Sequence, residues 1–163
     1  MRLSASDLKG IETAEPTTML GDWYANILLI QRQQLVMLVS NRSRLCVLTT
    51  ARDMVRIRPR FEHALMDLLR ATDVPEEALL RESQAMERVC LRLTGAKATG
   101  RSILGSMNDY TRALQNSDLN ERSLFDWKLY FSNWLCGPLR YEHPSEVALR
   151  LLKGSRTGPC WGH

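Results

Sequence analysis

At 163 residues the chain has the length of one domain, enough to bury roughly two thirds of its unfolded surface. Its 44% apolar and 25% charged residues match an ordinary globule, and no apolar run approaches the ~20 residues that a bilayer-spanning helix needs. The net charge of +4 is carried almost wholly by arginine and permits contact with nucleic acid or an acidic protein without requiring either.

The N-terminal MRLSASDLKG has no apolar core after its arginine and does not read as a secretory signal. A short helix is expected around residues 4–10, followed by a polar arm through Pro16. The four cysteines, Cys46, Cys90, Cys136 and Cys160, form no C-x-x-C pair and read as reduced thiols of a cytoplasmic protein.

The segment Asp22–Thr50 holds three apolar runs, Trp23–Ile30, Leu35–Val39 and Leu45–Leu48, separated by breaks of hairpin length. Each run is too short for a helix and rich in β-branched or aromatic residues, which predicts an antiparallel meander. The runs are apolar on both faces, so both need cover, from helices or from a second subunit. Pro59 is expected to open a helix and to keep Arg58 out of it; Phe61, Leu65, Leu68 and Leu69 then recur at helical spacing. Asp73-Val74-Pro75-Glu76 has the form of a capping box opening a second helix to about Met86, with Leu79, Leu80, Ser83 and Met86 inward.

Residues Arg88–Thr94 alternate, predicting a fourth strand at an edge, with Val89, Leu91 and Leu93 inward and Arg88, Cys90, Arg92 and Thr94 outward. Ile103, Met107, Tyr110 and Leu114 mark a third helix ending near Asn116. Asn120 can cap a fourth, with the stripe Leu124, Trp127, Phe131, Trp134 and Leu135, ended by Gly137-Pro138. A last short helix starts at His143-Pro144 and runs to about Lys153. The expected fold is therefore α+β: a small, mostly antiparallel sheet, made of a three-strand meander plus one later strand, packed with about five helices. Residues 1–153 are expected to form a single domain and 154–163 a flexible tail.

Asp22-Trp23-Tyr24-Ala25-Asn26 opens the first strand, Asn41 follows the second, and Met107-Asn108 lies on the third helix. Over about Leu20–Leu114 this pattern resembles an uncharacterised family of small bacterial α+β domains whose first strand begins W-[HY]-A-N. The resemblance implies a fold and brings no activity with it. Asn26 and Asn108 read as structural polar residues, since a buried asparagine must satisfy its amide or lose about 1–3 kcal/mol.

Arg42, Arg44, Arg52, Arg56, Arg58 and Arg60 are the densest positive group, opposed mainly by Asp53. They read either as a solvated face or as a surface for phosphate or an acidic protein. No helix-turn-helix, zinc-finger or RNP signature accompanies them. Trp134 and Tyr141 are candidates for a partner-binding patch, with core packing the alternative for Trp134.

For catalysis, His63, His143 and His163 sit in no metal-ligand cluster, and phosphate-loop, dinucleotide and nucleophile-elbow motifs are lacking. Cys136 and His143 can be drawn as a nucleophile pair only if the fold joins them. The leading expectation is a non-catalytic module for a protein partner, such as an antitoxin, inhibitor or accessory factor, with no cofactor and no metal. Nucleic-acid binding through the arginines and a small Cys/His hydrolase are the alternatives, and a homodimer remains open.

Overall fold

The computed structural model describes residues 18–52, 54–89, 91–93, 101–134 and 136–154. The expected N-terminal helix, Asp53, Cys90, Leu135, Cys160 and residues 155–163 lie outside the described residues. Strands β1 (Trp23–Ile30), β2 (Gln33–Ser40) and β3 (Cys46–Thr50) come first, then helices α1 (Ile57–Ala71) and α2 (Glu76–Ala85), strand β4 (Leu91–Leu93), and helices α3 (Arg101–Gln115), α4 (Leu124–Ser132) and α5 (Pro144–Gly154). The α+β architecture expected above is the one observed.

The sheet order is β3-β2-β1-β4. The first three strands form the expected antiparallel meander, while β4 runs parallel to β1 and, among the described residues, pairs with Trp23–Ala25. β1 and β2 join through a two-residue turn, Gln31 and Arg32, both at positive φ. A non-glycine pair in that conformation is strained. Gln31 is held there by its own side chain, which donates to the Ser117 carbonyl and accepts from Leu119 N–H.

Because a strand alternates its side chains, the two-faced apolar runs build two cores. On one face Trp23, Val36, Leu38 and Val47 pack with Phe61, Leu65 and Leu69 of α1, Leu79 of α2 and Leu152 of α5. On the other, Tyr24, Leu35, Met37 and Leu48 pack with Met107, Tyr110 and Leu114 of α3 and Trp127 and Phe131 of α4. Helices of the same chain thus supply the cover that both faces need. Among the described residues no helix is long and apolar enough to cross a membrane.

Four local expectations are corrected. Helix α1 begins at Ile57, so Arg58 is helical. Pro59 is its third residue, inside the first turn, where an N–H has no intrahelical acceptor to lose. Asp73 does not cap α2, whose N-cap Pro75 makes no side-chain bond. It closes α1 instead: at φ +65°, with Asp73 N–H bonded to Arg70 O and Val74 N–H to Leu69 O, it takes the left-handed position usually given to glycine. Leu80, expected inward, is exposed. Arg92, expected in solvent, is largely buried and pairs with Asp22 at 2.8 Å, tying β4 to the start of β1.

The cap of α4 also differs. Asn120 lies in a 3-10 turn whose cap is Asp118, and Ser123 caps α4 by accepting from Asp126 N–H at 3.1 Å. The helix ends at Ser132, before Gly137-Pro138. There Ser132 Oγ and Asn133 Nδ2 both bond to the Leu129 carbonyl, satisfying a terminal acceptor that a further turn would have used. Ser123→Ala is expected to cost about 1 kcal/mol in urea unfolding. An unchanged midpoint would show that the cap does not set the start of α4.

Candidate binding surfaces

The six arginines do not form one surface. β3 runs between Arg42 and Arg44 at its start and Arg52 beyond its end, and the other three lie on or next to the first turn of α1. Arg42 lays its stem across Gly21, where a Cβ would come within 3.0 Å of it, and donates to Met19 O. Gly21 is therefore needed twice, for its φ of +81° and for this contact. Arg44 is buried and bonds to Ser102 Oγ at 2.8 Å, while its Nε and Nη1 have no acceptor. Burial holds its pKa below the usual arginine range, opposed by Tyr110, Cys136 and Tyr24. Arg58 donates to Val89 O, and Arg60 donates to Thr50 Oγ1 and to the Arg52 carbonyl.

Trp134 and Tyr141 part in the same way. Trp134 is half-buried, its ring 5.0 Å from Phe131 and 5.5 Å from Tyr110. Tyr141 is exposed. Asn26 is half-buried on the α3/α4 side of β1, and Asn108 is exposed on α3, so neither is the fully buried asparagine that the structural reading rests on. Cys136 Sγ lies 3.5 Å from Tyr110 Oη, and burial raises the thiol pKa. That shift opposes the thiolate a nucleophile requires. Tyr110 is in turn fixed by donating to Arg44 O at 2.8 Å. His143 Nδ1 is buried without a hydrogen-bond partner.

Two surfaces escaped the sequence. The first is the open half of β1. Asn41 N–H donates to Asp22 O, so the even-numbered residues of β1 bond to β2 and the odd ones point their N–H and C=O away from it. β4 stops at Ala25. The main-chain groups of Ile27 and Leu29 therefore have no strand partner among the described residues, and their side chains are 55% and 68% exposed. Beside them, across the row Leu29, Gln34 and Ala51, lies a depression of about 510 Å³ that also includes Arg32 and Arg52 and, among the described residues, no carboxylate. Nothing in the apolar run of β1 marks this edge.

The second is a groove of about 420 Å³ between the end of β3 and the N-terminal turns of α1 and α4. Leu48, Ala64 and Leu124 give it apolar walls, and Arg56, Arg60 and Lys128 line it as well. Lys128 is 5% exposed. Its nearest aromatic neighbour is Phe125, with Nζ 5.6 Å from the ring centroid. Burial lowers its pKa, opposed by Asp67 and Cys46. The sequence did carry a signal here, because Lys128 stands at i+4 from Leu124 and i−3 from Phe131, on the inward stripe of α4.

The fold and these surfaces define a small α+β domain, a mixed four-stranded sheet enclosed between helices and open along half of one strand. The chain belongs to a family described as a domain of unknown function (DUF6933), whose model matches residues 3–147. No curated protein and no solved structure matches it.

Proposed function

We propose that the protein is a non-catalytic binding module that takes an extended segment of a protein partner onto the open half of β1. The observation carrying this is the coincidence, at Ile27 and Leu29, of main-chain groups that have no strand partner among the described residues with exposed apolar side chains. A long apolar edge left bare invites another strand, and natural sheets usually blunt such edges with charge or proline. Strand addition uses the main chain for affinity and alternate side chains for selection. Arg32 and Arg52 at the hairpin end, with no carboxylate among the described residues lining the depression, favour a segment carrying an acidic residue after its apolar ones. Arg42 and Arg44 stand at the opposite end of β3 from the other four arginines, which favours the protein-partner reading over one surface that uses all six for nucleic acid.

The test is to pan a random-peptide display library against the whole chain and against Leu29→Pro. The Leu29 N–H points away from β2, so proline removes only the outward donor and is tolerated at an edge. Enriched peptides should alternate apolar residues, include an acidic one, and bind Leu29→Pro about tenfold more weakly or worse, since lost main-chain bonds add to the loss of the side chain. Peptides that bind both forms equally would overturn the proposal. So would a stable dimer in light scattering that Leu29→Pro dissociates, because β1 would then pair with a second copy.

A further inference from the structure

We infer that the groove between β3, α1 and α4 is a binding site for a compact oxyanion, a phosphate or carboxylate, carried on an apolar body. The site is independent of the β1 edge. Its centre is Lys128. A lysine this buried ordinarily has an acidic or carbonyl partner, yet among the described residues its ammonium makes no hydrogen bond or ion pair, and it lines an open groove. The nearest opposing charge acting on it is Asp67, which is already engaged with His63 at 3.4 Å and with Arg70 at 3.8 Å.

The surroundings point the same way. Arg56 and Arg60 bring two further cations to the groove. Arg56 is the N-cap of α1 and makes no side-chain cap bond, and the first turn of that helix holds no acidic residue. An anion bound here would be favoured both by these cations and by the dipole at the N-terminus of α1. Leu124 brings in the first turn of α4, and Thr50 Oγ1 orients Arg60 by accepting from it at 2.9 Å. Leu48, Ala64 and Leu124 offer a dry wall that a bare inorganic ion would not use. Oxyanion and apolar body together fit the groove better than either does alone.

The experiment is calorimetric titration of the whole chain and of Lys128→Met with inorganic phosphate, phenyl phosphate and benzoate at constant ionic strength. Phenyl phosphate or benzoate should bind about tenfold tighter than inorganic phosphate, and whichever of the two prevails identifies the headgroup. Lys128→Met keeps the length of the stem and removes the charge, so it should weaken that binding about tenfold or more. Its melting temperature should stay level or rise, because an unpaired buried charge is lost. Equal binding by the two proteins, or no binding of any of the three anions, would overturn the inference. Arg60→Gln is the second variant: it keeps a donor for Thr50, and unchanged binding there would also count against the site.

Discussion

Phe131→Ala is expected to lower the unfolding free energy by about 3–5 kcal/mol, measured by chemical denaturation. Phe131 has no exposed surface. It sits where α3, α4 and the sheet meet, with ring centroids 4.7 Å from Tyr110, 5.0 Å from Trp134 and 5.7 Å from Trp127. Truncation removes the transfer free energy of the ring and leaves a void that three rigid aromatic neighbours cannot fill. Tyr130, its neighbour on the same helix, is 42% exposed, its ring covered in part by the Arg122 guanidinium 4.3 Å from the centroid. Tyr130→Ala should cost about 1 kcal/mol or less. Equal losses for the two substitutions would mean that α4 does not hold its inward face against the sheet.

Glu82→Ala comes next, with an expected loss of about 2–4 kcal/mol, because two buried main-chain donors lose their acceptor. Glu82 is 1% exposed and accepts from Met19 N–H at 3.1 Å and from Leu20 N–H at 3.5 Å, joining α2 to the turn that leads into β1. Burial raises its pKa, and this outweighs the two main-chain bonds, a contact with Thr18 and the charge of Arg42, which all act in the other direction. The folded protein therefore holds this proton to higher pH than the unfolded chain does. The associated stability is complete below the ordinary carboxyl range near pH 4 and declines as pH rises through the raised pKa. The difference in urea midpoint between the wild type and Glu82→Gln should follow that slope across mildly acidic to neutral pH. A difference independent of pH would show that Glu82 is not held in its neutral form by burial.

The meander was legible because its signal is local. Runs of four to eight residues, mostly apolar and broken by short polar turns, admit few alternatives, and the same holds for the stripe Ile103, Met107, Tyr110 and Leu114, which forms the buried face of α3. Helix ends were legible only in part. Asp73 and Pro75 carry the letters of a cap, but Asp73 serves the end of α1, since one polar residue can finish one helix or start the next, and the chain path decides which. The six arginines looked like one group because they are close in sequence; a strand of five residues was enough to separate them.

By itself, then, the amino-acid order determined the element types, the two-faced sheet and the need for helices on both sides, because periodicity and turn chemistry act over a few residues. Only the tertiary structure decided that β4 lies parallel to β1, that the side chains of Ile27 and Leu29 are exposed, and that the largely buried Lys128 lines a groove with no ion-pair partner among the described residues. Those outcomes depend on strand pairing and on contacts between residues far apart in the chain, where a side chain's surroundings come from other elements.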